Sequence, residues 1–206
     1  KLNMDEVDRL EALDYDVNDK RYNVRNLFLF GMYTAGTRIG DLLQFRWCNI
    51  SNGRIEYHMG KTGKFRSVKL LPEALRILDL YRPHKNKDTD YIFPFLSNTE
   101  VYSKLINTDD FQKASPDLVA YLYSKIESRI SVINKGLKLV AINAKIKKSL
   151  STHVARHTFA DIARKKGLSV YDISNMLGHS SISITQQYLN SLDVESMDTA
   201  MDQIFR

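Results

Sequence analysis

The chain has 206 residues, 43% of them hydrophobic and few of them glycine or proline, so it can bury a sizeable core in one domain. We expect neither a signal peptide nor a membrane span, since no apolar run approaches the roughly 20 residues that a spanning helix needs. The single cysteine, Cys48, excludes an internal disulfide and a cysteine metal site, and the net charge of +6 favours a polyanionic partner, chiefly nucleic acid.

The first third of the chain is predicted to hold three helices and a small sheet. Apolar residues at helical spacing predict a helix over residues 2–13, with Asp5 as its N-cap, and further helices over 21–34 and 39–45. Residues 48–71 contain two turn-like stretches between short alternating runs. This pattern predicts an antiparallel sheet of about three strands.

The middle of the chain is less regular. A helix is predicted over residues 72–81, and polar or irregular segments follow as far as residue 115. Ser115 and Pro116 are typical of an N-cap and first helical position, and they open a helix that Gly136 is expected to close. Residues 137–150 fit a helix or a strand equally well.

The last third is predicted to be helical throughout. Helices are expected over residues 152–167 and 169–178, and a short one contains Tyr188. Apolar residues from Val194 to Phe205 lie on one face of a further helix within 191–206. The fold class is therefore mainly α with a small antiparallel β-sheet (α+β).

Basic residues concentrate in one part of the chain. Eleven lysines and arginines lie between residues 125 and 166, where only Glu127 and Asp161 oppose them. Such a cluster attracts nucleic acid, but an ordinary solvated helix face explains it equally well from charge alone.

Arg38 and Asp41 form the first candidate group. Arg38 follows a glycine turn at the start of a predicted helix, and Asp41 lies three residues later on the same face. A cation at this end of a helix opposes the macrodipole unless an anion binds there too. Considered alone, the two residues fit an ordinary surface ion pair better.

Two further stretches offer proton donors. Lys61 and Lys64 lie in a tight hairpin turn, where a lysine is commonly present for solubility but can also donate a proton to a bound backbone. His153 and His157 are four residues apart, as in a zinc motif of the H-E-x-x-H type. Val154 replaces the required glutamate, so His153 and Arg156 fit better as two donors to one phosphate.

The last candidates are His179, in a predicted turn, and Tyr188. Taken singly, each is more often a structural residue. Together with the arginines and the lysine they form a set suited to a phosphodiester, because guanidinium groups match phosphate oxygens and a phenol, with a pKa of about 10, can act as a nucleophile. No acidic cluster points to a two-metal site, so no metal or cofactor is expected.

Four sequence boxes resemble those of the tyrosine recombinases, or phage-type integrases. They are "TAGTRIGDLLQFRW", "GKTGKFRSVKL", "HVARHTFA" and "LGHSSISITQQY". The resemblance spans roughly residues 2–206, and four boxes in this order are far more specific than any one alone. Two features depart from the family: Ala155 replaces a common leucine, and residues 96–150 are longer and more basic.

The resemblance implies a catalytic role for six residues. Arg38 and Arg156 would bind the scissile phosphate, and Tyr188 would attack it to give a 3′-phosphotyrosine. Lys61 is a better match than Lys64 for the catalytic lysine, and it would protonate the leaving 5′ oxygen. His153 would act as acid and base, and His179 would bond a non-bridging oxygen. Asp41 and His157 would support these groups. The residues expected to contact the DNA backbone are Lys64, Arg66, Lys145, Lys147 and Lys148.

The resemblance also implies a domain organisation and partners. Residues 1–190 would form the catalytic domain, and the helix within 191–206 would dock on a neighbouring protomer or fold back on its own domain. The family's amino-terminal DNA-binding domain is expected to be absent. The partners would be double-stranded DNA with attachment sites and other protomers in a DNA-bound complex, in the bacterial cytoplasm or nucleoid.

Three other functions remain open from the sequence. A type IB topoisomerase would nick and reseal one duplex with similar chemistry. A non-catalytic DNA-binding module would keep the fold and bind DNA without cleaving it. A helical protein-interaction domain would use the basic face to bind an acidic partner.

Overall fold

The computed structural model describes residues 1–190, apart from the side chains of Tyr188 and Asn190. The predicted helix within 191–206, and its apolar face from Val194 to Phe205, lie outside the described residues. Within residues 1–190, no helix is long and apolar enough to cross a membrane.

Helices and one small sheet make up the described part of the chain. The sheet has three antiparallel strands in the order β1-β2-β3, and Ile55 pairs with Val68 across its second ladder. The strands are β1 (Ile50–Ser51), β2 (Arg54–His58) and β3 (Phe65–Lys69). The helices are α1 (Met4–Glu11), α2 (Lys20–Tyr33), α3 (Ile39–Leu42), α4 (Pro72–Tyr81), α5 (Thr108–Lys113), α6 (Pro116–Asn143), α7 (Thr152–Lys165), α8 (Val170–Leu177) and α9 (Ile182–Asn190). The predicted fold class, mainly α with a small antiparallel sheet, is confirmed.

Helix α2 lies at the centre of the core. It packs against α4, α6 and α7, and its side chains from Leu27 to Phe30 are buried. Phe30 packs edge-on against Phe45 and Phe93, which tie the sheet side of the molecule to the helical side. A helix that is apolar on nearly all sides is stable only when other elements surround it, as they do here.

The predicted N-cap of α1 and the predicted end of α6 both differ from the structure. Helix α1 is capped by Asn3 rather than Asp5, because Asn3 and Glu6 exchange hydrogen bonds in a capping box. Helix α6 runs through Gly136 instead of ending there. A Cβ at Gly136 would lie 3.0 Å from Cγ2 of Val24, so this glycine allows α6 and α2 to approach closely.

The segment between residues 82 and 115, predicted to be irregular, is partly helical, and Arg46 makes hydrogen bonds to several of its carbonyls. It contains α5 and a 3₁₀ turn over Val101–Lys104. The buried Arg46 guanidinium donates to the carbonyls of Thr89, Ser103 and Leu105, and it stacks 3.9 Å from the ring centroid of Tyr91. One arginine therefore satisfies several loop carbonyls that lack a secondary-structure partner.

Candidate active site

Four of the predicted catalytic residues line one cavity of about 540 Å³: Arg38, Lys61, His153 and Arg156. They come from the start of α3, the β2–β3 turn and α7. Asp41 and the backbone of Gly60 also border the cavity. Packing of the elements thus gathers residues that are more than a hundred positions apart in the chain.

Arg38 occupies the N-cap position of α3, just after a sharp turn. Ala35 and Gly36 both have left-handed backbone angles, with φ of 57° and 64°. A Cβ at Gly36 would lie 3.2 Å from Cα of Arg156, so only glycine lets α7 pack this closely on the turn. The guanidinium of Arg38 donates to the sulfur of Met59 at 3.4 Å, a weak contact that holds it only loosely.

Arg156 is held much more firmly. Its side chain is buried, with Nη1 donating to the carbonyl of Gly36 at 2.7 Å and Nη2 to that of Leu177 at 2.6 Å. Leu177 is the last residue of α8, where helix carbonyls lack intrahelical partners and a cation is favoured by the macrodipole. Arg156 therefore fixes the turn before Arg38 to the turn before His179.

Asp41 connects α3 with the β2–β3 turn. Its carboxylate Oδ1 accepts a hydrogen bond of 2.9 Å from the backbone N–H of Gly60, the residue before Lys61. Burial raises the pKa of Asp41, and the Gly60 N–H and the guanidinium groups of Arg38, Arg66 and Arg156 oppose this increase. The carboxylate thus lies within the field of three cations.

The cavity distinguishes between the two candidate lysines. Both are exposed in the turn region after β2, but Lys61 lines the cavity and Lys64 is not among its lining residues. Met59 N–H donates to the carbonyl of Lys64 and closes the turn so that the two side chains leave it at different points. Of the two lysines, Lys61 is therefore the one that lies at the candidate site.

The two histidines of α7 have different surroundings. His153 is exposed and borders the cavity, three residues before Arg156. His157 is half-buried one turn later, and burial is the main cause that lowers its pKa. Within residues 1–190, no cluster of three or more histidine, cysteine or acidic side chains is arranged to hold a metal.

His179 follows the left-handed Gly178, which ends α8 with a φ of 64°. Its Nδ1 lies 2.7 Å from Oγ1 of the buried Thr185 on α9. Burial is the main cause that lowers the pKa of His179 to about 4, and the charges of Arg156, Arg38 and Arg66 contribute to this decrease in that order. The imidazole is therefore neutral at pH 7 and lies in the field of the arginines.

Tyr188 occupies a position in α9, the helix that packs against α8. Its side chain lies outside the described part of the structure, so its predicted place beside the arginines stays a prediction.

The sequence profile of the phage integrase family matches residues 1–195. The chain belongs to this family. The resemblance drawn from the four sequence boxes is thereby confirmed.

Relatives in this family carry recombinase names. The chain is 27% identical over 199 residues to a tyrosine recombinase of Thermosipho africanus, covering 96% of this chain and 59% of the relative. It is 31% identical over 163 residues to tyrosine recombinase XerD of Staphylococcus saprophyticus, covering 76% of this chain and 46% of the relative. The chain thus spans about half the length of the relatives that it matches.

Solved structures of the family share the fold. A crystal structure of XerA recombinase is 26% identical, with a TM-score of 0.60, and the match covers 95% of this chain and 62% of that one. XerH recombinase, in a post-cleavage complex with its difH substrate, matches 98% of this chain and 51% of that one with a TM-score of 0.65. Its 16% identity supports the fold alone.

Arg66 differs from its sequence-based expectation. It was expected at the DNA backbone, but its side chain is buried and its Nη2 donates to the carbonyl of Met176 in α8. Alternation along β3 places Arg66 on the same face as Val68, and its strand partner is the buried Tyr57. That alternation was the signal that could have revealed an inward-facing arginine.

The basic residues divide into two groups. Lys145 and Lys147 are exposed, in keeping with the predicted contacts to DNA. Lys148 pairs with Glu6 at 2.6 Å, and Asp161 pairs with Lys1, Arg164 and Lys165. Part of the basic cluster therefore attaches the first residues of the chain and the end of α7 to the domain.

Proposed function

We propose that this chain is the catalytic part of a site-specific DNA recombinase, which cleaves and rejoins strands through a 3′-phosphotyrosine intermediate. The convergence of Arg38, Lys61, His153 and Arg156 on one cavity carries this proposal. The recombinase names of relatives that span most of this chain support it.

The two arginines would bind the scissile phosphate. A guanidinium group has five N–H donors in a planar fork that matches phosphate oxygens. Arg156 is already oriented by the carbonyls of Gly36 and Leu177. Among the described residues, Arg38 makes only a weak hydrogen bond to the Met59 sulfur, which it would exchange for the phosphate. Together they would stabilise the charge on the equatorial oxygens in the transition state.

Proton transfers would accompany the exchange of bonds at phosphorus. The Tyr188 oxygen attacks phosphorus and passes its proton to His153, while the bond to the 5′ oxygen breaks. Lys61 gives that oxygen a proton, which leaves a 3′-phosphotyrosine and a free 5′-hydroxyl. In the reverse step an incoming 5′-hydroxyl attacks phosphorus and releases the tyrosine, so rejoining requires no ATP.

The surrounding residues would support this chemistry. His179 would donate a hydrogen bond to a non-bridging oxygen, and Asp41 would hold the turn that carries Lys61 through Gly60. Independence from metal ions and cofactors remains part of the proposal, because side chains supply the charge and the protons in each step.

The proposed partners are double-stranded DNA and further protomers. Structural relatives include XerH bound to difH and a lambda integrase dimer bound to a core site. The exposed Lys64, Lys145 and Lys147 would contact the DNA backbone, and the segment 191–206 would dock on a neighbouring protomer. The bacterial cytoplasm or nucleoid remains the predicted location.

Covalent capture of DNA tests the proposal. The full-length protein that contains this chain is first used to select its binding site from a random-sequence duplex pool. A nicked duplex with that site is then incubated with the protein and run on a denaturing gel. We expect a covalent protein–DNA band that Tyr188→Phe abolishes and Tyr171→Phe, which alters an exposed tyrosine of α8, leaves unchanged.

Two outcomes contradict parts of the proposal. A band that survives Tyr188→Phe rules out this tyrosine as the nucleophile, and failure to form a band on the selected site favours a binding module. Joining of the captured strand to a second duplex distinguishes a recombinase from a topoisomerase, which reseals the original duplex.

A further inference from the structure

His179 lies in the turn that connects α8 to α9, and Thr185 lies in the first half of α9. The imidazole Nδ1 and the threonine Oγ1 are 2.7 Å apart. Thr185 is fully buried, at 0% exposure, although a threonine is commonly exposed on a helix that packs on one side only. The hydroxyl is therefore placed inside the domain, directly behind the ring of His179.

The direction of this hydrogen bond follows from burial. A buried hydroxyl needs an acceptor for its proton, because an unsatisfied donor costs free energy. Among the described residues, the contact with His179 is the one hydrogen bond that Thr185 Oγ1 makes. The 2.7 Å distance is also typical of a hydroxyl donor, whereas N–H donors commonly lie at about 2.9–3.0 Å from an oxygen.

We propose that Thr185 donates its hydroxyl proton to Nδ1 of His179 and thereby holds the imidazole in the tautomer that carries its proton on Nε2. A neutral imidazole has one N–H, so a nitrogen that accepts a bond leaves the proton on the other. The partly buried ring, in the field of Arg156, Arg38 and Arg66, has a lowered pKa, which keeps it neutral at pH 7.

The catalytic consequence rests on the proposed function, although the tautomer itself does not. With its proton on Nε2, His179 can donate to an oxygen of the phosphate that the arginines bind. The opposite tautomer would present a lone pair to the anion. Thr185 is thus a positioning residue that acts through His179, and it belongs to the same helix as Tyr188, three residues before it.

Nitrogen NMR of the histidine rings tests this proposal without DNA. The chain is labelled at its five histidines, and His179→Gln identifies the His179 signals. In the unchanged protein at pH 7 we expect an unprotonated Nδ1 and a protonated Nε2. Thr185→Val keeps the shape of the side chain but removes the donor, so both nitrogens should move to averaged shifts. Thr185→Ser keeps a hydroxyl and should restore the original pattern.

Two results would overturn the proposal: a protonated Nδ1 in the unchanged protein, or ring shifts that Thr185→Val leaves unaltered. Thermal unfolding of Thr185→Val and Thr185→Ser shows whether both variants are folded, so the comparison reports on the hydroxyl. In the covalent capture assay, Thr185→Val should reduce the rate of band formation about tenfold relative to Thr185→Ser, which equals about 1.4 kcal/mol. If the NMR pattern holds but no variant forms a band, the proposed function fails while the tautomer assignment stands.

Discussion

The carboxylate of Asp41 accepts a hydrogen bond of 2.9 Å from the backbone N–H of Gly60. These residues belong to α3 and to the turn between β2 and β3, and each has a candidate catalytic residue nearby. Arg38 lies three residues before Asp41, and Lys61 directly follows Gly60. This one bond therefore links the segment that carries Arg38, the proposed phosphate ligand, to the turn that carries Lys61, the proposed proton donor.

Removing the Asp41 carboxylate should loosen the turn that carries Lys61. Asp41→Ala leaves the Gly60 N–H without its acceptor, and we expect a loss of about 1–3 kcal/mol in the free energy of unfolding. Asp41→Asn keeps an acceptor oxygen and should lose less. Urea denaturation measures both variants. Equal stability of Asp41→Ala and the unchanged protein would show that the bond does not anchor the turn.

The two arginines should differ in their effect on stability. Arg156→Ala removes two charged hydrogen bonds to buried carbonyls and should cost about 3 kcal/mol or more. Arg38→Ala removes a contact with the Met59 sulfur and should change the unfolding free energy by only about 0.5 kcal/mol. Both substitutions should abolish covalent capture of DNA. Strong destabilisation by Arg38→Ala would contradict the loose attachment seen in the structure.

Lys61 should act on the leaving oxygen. Lys61→Ala should slow strand cleavage by about 10²–10⁴-fold, the range typical of a general acid. A substrate with sulfur in place of the 5′ bridging oxygen has a leaving group that needs no proton, so it should restore cleavage by this variant. The matched control is Lys64→Ala, which should weaken DNA binding but cleave both substrates at nearly the normal rate when the DNA is saturating. Failure of the sulfur substrate to rescue Lys61→Ala would assign the lysine another role.

Arg66 should stabilise the contact between the sheet and α8. Arg66→Met removes the hydrogen bond to the Met176 carbonyl and should cost about 1.5–3 kcal/mol, because the donor is charged and buried. Lys64→Met, two residues earlier on the exposed turn, should stay within about 0.5 kcal/mol. Weaker DNA binding by Arg66→Met with an unchanged unfolding free energy would instead place Arg66 at the DNA backbone.

The pKa of His179 predicts a pH dependence of stability. Its pKa falls from 6.5 to about 4 on folding, so the unfolded chain binds more protons between these values. Stability should therefore decrease as the pH falls from about 6.5 to 4, by an amount on the order of 1 kcal/mol, because solvent screens the half-exposed ring.

Other groups titrate in the same window. His157, with a lowered pKa, changes stability in the same direction, and Asp41, with a raised pKa, changes it in the opposite direction. The difference between the unchanged protein and His179→Gln isolates the contribution of His179. Parallel stability curves for the two proteins between pH 6.5 and 4 would contradict the prediction.

The sequence by itself determined most of the elements and the chemical types of the site residues. Helical spacing of apolar residues, the Ser115–Pro116 start and the glycine turn at Gly178 each specify local backbone geometry, and the structure follows them. The predictions for Asp5 and Gly136 were wrong because neighbouring residues compete to cap a helix, and packing against another helix can place a glycine inside one. Asn3 makes the better capping box, and the packing of α6 on α2 uses Gly136 inside a helix.

Only the tertiary structure decided how the residues act together. The position of Lys61 at the cavity, the inward position of Arg66 and the bond between His179 and Thr185 depend on which elements pack against each other. Arg156 reaches the carbonyl of Gly36, 120 positions earlier, because α7 packs on α2. Local sequence patterns set the backbone dihedral angles and the apolar face of each helix or strand. The distances between remote side chains are set only when those apolar faces are buried together in one core.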